Sequence, residues 1–246
     1  MKNLVFLIIQ IGPCNKRIYY VQGVAMQLKS QLKRELRDFQ TLFPFIRTAK
    51  FSTYNLGAEF AGLFVEPEFK VLSRLGPTKL VVDIGGNWGQ SVVALRKYAK
   101  PQKIVTFEPN PELACRLRHS FKNDNSIYVE QFALGEVEGD FDLYVPKYRN
   151  FIYDGLASLS HQEATQWLGP NTLSRFDKNK LSTSAHKINV KRLDDYHFTP
   201  DVIKIDVQGL EDSVARGGCE TINKHKPVLI VEAPSDDFVE MMAEFK

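Results

Sequence analysis

The run Val81-Val82-Asp83-Ile84-Gly85-Gly86-Asn87-Trp88-Gly89-Gln90 constrains this chain more than any other segment. Apolar residues of strand type lead into glycines, and Gln90–Ala99 then repeats apolar residues at helical spacing, so the run reads as strand, tight turn and helix. Glycines let a backbone approach a ligand closely, and the first amides of a helix attract negative charge. The surrounding pattern has the same rhythm. Lys79–Ile84 reads as a strand, Gln90–Ala99 as a helix and Lys103–Phe107 as a strand. Pro111–Phe121 follows as a helix with Asn110 as N-cap and Pro111 in its first turn, then Ser126–Ala133 as a strand. Further on come a strand at Asp201–Val207, a short helix at Leu210–Ala215, a strand at Pro227–Glu232 and a helix at Ser235–Phe245 capped by Ser235. The economical fold is α/β: a doubly wound, mostly parallel, Rossmann-like sheet whose ligand sits where the strand order reverses.

Composition narrows the class. The 246 residues are 43% hydrophobic and 25% charged, as in a folding domain and unlike a disordered or fibrous chain. Thirty-two Lys+Arg against 29 Asp+Glu leave +3, and the basic residues are scattered, so no cationic face for nucleic acid is expected. Cys14, Cys115 and Cys219 form no CxxC pair, which points to a reducing, cytoplasmic setting without structural zinc. The apolar run Leu4–Ile11, broken by Gln10, is far short of the about 20 residues that span a bilayer, so no transmembrane segment is expected. Followed by Gly12-Pro13-Cys14 it has a faint secretory look. The plainer readings are a packed strand or a non-native extension.

Residues 1–75 read as an N-terminal extension. In Val24–Phe39, Leu28, Leu32, Leu36 and Phe39 recur opposite Lys29, Lys33, Arg34 and Arg37, which predicts an amphipathic helix packed on the core with a solvated basic face rather than lying on a membrane. An aromatic, proline-rich stretch at Thr41–Glu68 leads to a short helix at Pro67–Leu75, ended by Gly76-Pro77. Residues 76–246 form the main domain. Within it Phe141–Val145 and Lys187–Val190 alternate as short strands able to pair with each other. Lys147–His186, rich in aromatics and hydroxyls, has the look of a lid over a binding site.

Three constellations carry chemistry. A dinucleotide site prefers G-x-G-x-x-G, but Asn87 stands where the second glycine belongs. Asp83 adds a carboxylate that would repel a pyrophosphate and suits a ligand bearing an ammonium and a sulfonium, such as S-adenosylmethionine. Glu108 ends the next strand, where a carboxylate can accept both hydroxyls of an adenosine ribose. Lys204 and Asp206 share one face of Asp201–Val207, roughly 7 Å apart at ~3.3 Å per residue. On a strand that should be wholly apolar they either form a buried ion pair that holds the strand or stand at the reacting centre.

Taken together, Val82–Gly89, Val105–Pro111, Ala133-Leu134-Gly135 and Ile203–Glu211 resemble the FkbM family of S-adenosylmethionine-dependent methyltransferases. The resemblance covers roughly residues 78–235. It implies methyl transfer, most often to a hydroxyl of a sugar, glycan or secondary metabolite. It also implies that Asp83, Gly85, Gly86, Asn87 and Gly89 surround the methionine part of the cofactor, Glu108 the ribose, and Phe132 and Ala133 the adenine, with Asp206 near the cofactor as well. Gln208 departs from the glutamate usual at its position. The chain also stops after the helix that follows Pro227–Glu232, where such sheets usually gain two more strands, which leaves either a fragment or an edge that something must cover. For the proton of an acceptor hydroxyl the candidates are Asp206, with Lys204 beside it, Glu232 and His161. His119, His186, His197 and His225 read as surface or packing residues, and no metal is expected. A nicotinamide-dependent enzyme and a non-catalytic module that kept the fold are the rival readings.

Overall fold

The computed structural model describes residues 5–11, 16–22, 67–232 and 234–244, together with Glu35, Phe39, Thr41, Leu42, Thr53 and Asn55. The amphipathic helix expected at Val24–Phe39 and the stretch Thr41–Glu68 lie largely outside these residues.

Five parallel strands form the centre of the main sheet: β3 (Leu80–Ile84), β4 (Lys103–Phe107), β5 (Ile127–Glu130), β10 (Val202–Ile205) and β11 (Val228–Glu232). Their alternating side chains divide between two apolar layers. Val82, Ile84, Val105, Phe107, Ile203, Ile205, Leu229 and Val231 face one layer, covered by Val214 and Ala215 of α5 (Glu211–Gly217), Ile222 of α6 (Cys219–His225) and Phe238 of α7 (Asp236–Glu244). Val81, Ile104, Val202 and Ile230 face the other, covered by Phe69 of α1 (Pro67–Val71) and by Val92 and Leu95 of α2 (Gln90–Ala99). Helices on both faces of a parallel sheet are what continuous apolar strands require. The remaining flank is α3 (Pro111–Ser120), where the Asn110 side chain accepts the Glu112 amide, as its N-cap position predicts.

With β1 (Val5–Ile11) and β2 (Lys16–Gln22) the order across the sheet is β2-β1-β11-β10-β3-β4-β5, so the strand order reverses between the parallel neighbours β3 and β10. The first two strands come from the N-terminus. β1 runs antiparallel to β11, with Phe6 opposite Glu232 and Ile9 opposite Leu229, and β2 pairs with β1. The apolar N-terminal run is therefore a sheet strand. The edge of β11 that the sequence left open is paired from the opposite end of the chain, which satisfies backbone groups that would otherwise recruit foreign strands.

A second sheet, ordered β6-β9-β7-β8, comprises β6 (Ala133–Leu134), β7 (Gly139–Tyr148), β8 (Phe151–Ile152) and β9 (Leu181–Lys191). The expected pairing of the two alternating segments holds over the whole length of β7, from Gly139 opposite Val190 to Tyr148 opposite Leu181. Ala133 does not continue the preceding strand as expected. The chain leaves β5 after Glu130, and Ala133–Leu134 finds hydrogen-bond partners on β9 instead. The short helix expected at Leu210–Ala215 runs from Glu211 to Gly217, and a further helix, α6, follows directly after Gly218. Residues 147–186 carry α4 (His161–Gln166) and a small core of their own around the buried Tyr148, Leu168 and Leu173. The Tyr148 hydroxyl donates to the Arg175 carbonyl and accepts the Asp177 amide. Among the described residues no helix is long and apolar enough to cross a membrane.

Candidate active site

Between the carboxyl ends of β3 and β10 and the second sheet lies a cavity of about 240 Å³. It opens at the reversal point of the strand order, where an open α/β sheet places its ligands.

Its floor is the glycine turn. The Gly85 and Gly86 amides donate to the Phe107 carbonyl at 2.9 and 3.1 Å, and the Asp206 amide donates to the Ile84 carbonyl at 3.0 Å, which ties the three strand ends together. Gly85 has φ +88°, and a Cβ there would overlap the Asp206 carbonyl oxygen; one on Gly86 would overlap Thr106 Oγ1. Only glycine fits both places. Asn87 follows at φ 46°, lines the cavity, and has its Oδ1 buried without a hydrogen-bond partner among the described residues. A non-glycine residue in the left-handed region with an orphaned acceptor is the kind of local strain that collects at ligand sites.

Glu108, just beyond β4, is 6% exposed and faces the same cavity. Its Oε2 accepts the Asn87 amide and its Oε1 the Asn110 amide, both at 2.8 Å, so one carboxyl joins the glycine turn to the start of α3. Burial nevertheless pushes this carboxyl up to about 7: the two amide bonds oppose the loss of hydration without prevailing, and Asp154 nearby adds repulsion.

Asp83, Gly86 and Gly89 lie behind the cavity wall rather than on it. Asp83 is fully buried, and its Oδ2 accepts Ser91 Oγ at 3.0 Å and Thr106 Oγ1 at 2.7 Å. Its other oxygen stands 3.7 Å from Lys204 Nζ. Lys204 thus sits beneath the turn, donating to the Gly85 carbonyl at 3.0 Å and to Asp206 Oδ2 at 3.2 Å. Burial alone would lower its ammonium, but Asp206 and Asp83 more than offset that and hold it above the ordinary lysine value. Burial likewise works against the Asp206 carboxylate, yet the Lys204 charge and hydrogen bonds from Glu232, Lys204 and Gln208 hold it below the usual range. The contact between the Asp206 and Glu232 carboxyls needs one proton between them. Of this group Asp206 alone lines the cavity, as do Phe132 and Ala133, while Glu232 and Lys204 stand behind it. His161 is not brought into the site. It is exposed at the start of α4, and its ring packs edge-on to Tyr144, 5.5 Å away, on the outer side of β7.

Two contributors were not singled out from sequence. Asp154, in a short 3-10 turn of the 147–186 insertion, lines the cavity and accepts Trp88 Nε1 at 3.0 Å, while the Arg116 guanidinium lies 4.2 Å over the Trp88 ring. Nothing local to Asp154 marks this role, because its partner lies in a segment distant in sequence. Glu211 is 6% exposed, and its carboxylate accepts the Val207 and Gly209 amides. It thereby shapes the loop that turns Gln208, at φ 56°, toward the cavity, where Gln208 Nε2 donates to Asp206 Oδ1 at 3.0 Å. An acidic residue following a strand-end glycine was the available signal. Among the described residues no cluster of three His, Cys, Asp or Glu could hold a metal.

Residues 83–246 match the model of the Methyltransferase FkbM domain family. The chain is 26% identical over 153 residues to the 2-O-methyltransferase NoeI of Sinorhizobium fredii, covering 60% of each protein. It is 26% identical over 188 residues to Methyltransferase 1 of Beauveria bassiana, covering 69% of this chain and 73% of that one. A solved structure of a methyltransferase FkbM from Methylobacillus flagellatus KT aligns with a TM-score of 0.41 at 18% identity, over 72% of this chain and 36% of that one.

Proposed function

This chain belongs to the FkbM methyltransferase family, and on that premise we propose that it transfers a methyl group from S-adenosylmethionine to a hydroxyl of a small-molecule or glycan acceptor. The observation that carries the reading is the buried Glu108 carboxyl at the end of β4, held against the Asn87 amide beside a turn that admits only glycine. A carboxylate in that place can accept two vicinal ribose hydroxyls. The orphaned Asn87 Oδ1 offers an acceptor to an ammonium, and Phe132 and Ala133 supply an apolar wall for a purine. The donor set therefore fits the cofactor. When bound, it would supply an electrophilic methyl group.

The chain's own residues then have separable tasks. Asp206 faces the cavity and is kept ionised by Lys204, so it is the group placed to accept the acceptor's hydroxyl proton. Lys204 acts as a positioning residue, fixing Asp206 and the Gly85 carbonyl together. Glu232, hydrogen-bonded to Asp206, carries the one proton of that contact and so leaves Asp206 as the ionised partner. Part of the 147–186 insertion, Asp154 to Leu159, walls the cavity and shields it from water.

Calorimetric titration with S-adenosylhomocysteine and with NAD tests the reading. Saturable binding of the first and none of the second is expected; NAD binding without S-adenosylhomocysteine binding would overturn it.

A further inference from the structure

The cavity does not end with the residues assigned above to the cofactor. On its other side it is walled by one face of the second sheet, where Phe141 and Leu143 of β7 stand next to Ile188 and Val190 of β9. Leu210, at the tip of the loop that carries Asp206 and Gln208, completes this wall and is 38% exposed at the rim. The opposite face of the same strands is polar, with Lys187 paired to Asp142 at 3.1 Å and Asn189 donating to Asp140 at 3.0 Å. The apolar face packs as a small core with Val145, Ala157 and Leu159 and at the same time lines the cavity.

The polar groups at this wall are already committed. Ser213 Oγ accepts the Glu136 amide at 3.0 Å; Ser158 Oγ donates to Glu163 Oε2 at 2.7 Å and accepts the Ser160 amide at 3.1 Å. Between β7 and β9 the facing backbone groups pair along the whole ladder. A sugar ring placed on this face would bury most of its hydroxyls against aliphatic side chains, a penalty that an apolar group avoids. Asp206, Val207, Gln208 and Leu210 line the same cavity, so one ligand can touch both this wall and Asp206.

We infer that the acceptor is a hydroxyl borne on an apolar framework, an alkyl chain or hydrocarbon ring that lies on Phe141, Leu143, Ile188 and Val190 while its hydroxyl meets Asp206. This rests on the methyltransferase reading above and narrows its acceptor class: any sugar portion of the acceptor lies outside this compartment.

The test uses the full chain saturated with S-adenosylhomocysteine and follows alcohol binding by ligand-observed NMR titration. The probes are butan-1-ol, hexan-1-ol and octan-1-ol, with hexane-1,6-diol as the control that keeps the chain length but adds a far-end hydroxyl. Affinity should rise about threefold per added methylene, as burial of each in an apolar wall requires, and the diol should bind at least about tenfold more weakly than hexan-1-ol. Phe141→Ser, and independently Leu210→Asp at the half-exposed rim, should flatten the chain-length gain while S-adenosylhomocysteine affinity stays within about threefold, which also shows that the variants fold. A flat or undetectable alkanol series, or a diol that binds as well as hexan-1-ol, overturns the inference. Displacement of S-adenosylhomocysteine by the alkanols overturns it too, by assigning the compartment to the cofactor. Failure of S-adenosylhomocysteine to bind at all would instead refute the methyltransferase reading itself.

Discussion

On the Glu108 side of the cavity, the polar groups are a backbone turn and a carboxyl held in fixed positions: Gly85 against the Asp206 carbonyl, the Asn87 amide on Glu108, Lys204 beneath. On the second-sheet side the wall is a strand face of aliphatic and aromatic side chains, and the neighbouring hydroxyls are already paired. The first kind of wall recognises a ligand by direction and tolerates almost no substitution, because both the space and the bonds are specified. The second recognises it by volume and polarity, and such surfaces accept apolar replacement at modest loss. Substitutions should therefore separate the two halves sharply.

Gly85→Ala should have the largest effect. The residue is left-handed, and the added Cβ would overlap the Asp206 carbonyl, so the turn must open and the ends of β3 and β10 must part. S-adenosylhomocysteine affinity should fall by more than about 100-fold, with a lower melting temperature. Calorimetry and thermal melts check this. An alanine variant that binds within a few-fold of the wild type would mean that the close approach of the two strand ends plays no part in recognition.

Next in size is Asp206→Asn. Lys204 keeps the Gly85 carbonyl and Asp83 when the Asp206 charge is removed, so the protein should stay folded, with a melting temperature lowered by only a few degrees. Turnover should fall ~10²–10⁴-fold, as expected on losing a positioned proton acceptor. The sequence left two readings of this pair open, and the same variant decides between them. A collapse of the melting temperature with activity per folded molecule intact would make Asp206 a structural ion-pair partner and nothing more.

Glu108 links the comparison to pH. Its carboxyl holds a proton up to about 7 in the folded protein, whereas ribose hydroxyls need a carboxylate to accept them. Affinity for S-adenosylhomocysteine should rise from pH 6 to pH 8 and level off. Glu108→Gln should be flat with pH and about tenfold weaker at pH 8. Stability carries the opposite sign. Because the folded state keeps a proton that the unfolded chain releases near 4.5, the wild type should lose stability relative to Glu108→Gln as pH rises from 4.5 to 7, by up to about 3 kcal/mol. Chemical denaturation of both proteins across that range measures it. A stability difference that grows in favour of the wild type would show that Glu108 is ionised in the free protein.

The sequence made legible what is encoded locally. Gly85, Asn87 and Asp206 announce themselves because a glycine turn and a polar residue on an apolar strand are visible within a few positions, and the Asn110 cap lies where the helix-start pattern puts it. What stayed hidden depends on partners far along the chain. The Trp88–Asp154 bond joins the glycine turn to the insertion. The pairing of Val5–Ile11 with β11 joins the two ends of the protein, and an apolar run carries no address for its partner strand. Ala133 was misassigned for a related reason: the β-prone run through it does not reveal that a second sheet competes for its backbone. The helix at Cys219–His225 was not expected; it starts directly after Gly217-Gly218, where two residues of low helix propensity interrupt the pattern.

The smallest effect should come from Gln208→Glu, which introduces the glutamate that the sequence resemblance leads one to expect at this position. On sequence alone the added carboxylate could be expected to raise the rate. The geometry reverses that expectation. Gln208 Nε2 donates to Asp206 Oδ1, and the proton of the Asp206–Glu232 contact leaves Asp206 ionised, so an ionised glutamate would replace a donor with a second negative charge against the same carboxylate. Turnover at pH 8 should fall by about two- to fivefold and recover toward the wild type as the pH is lowered to 6, where a proton on the new acid can restore the donor. S-adenosylhomocysteine affinity should barely change, because the contacts on Glu108 and Asn87 are untouched. A pH-independent increase in rate would instead make position 208 a proton acceptor in its own right, and would move the reacting hydroxyl from Asp206 toward the Leu210 rim.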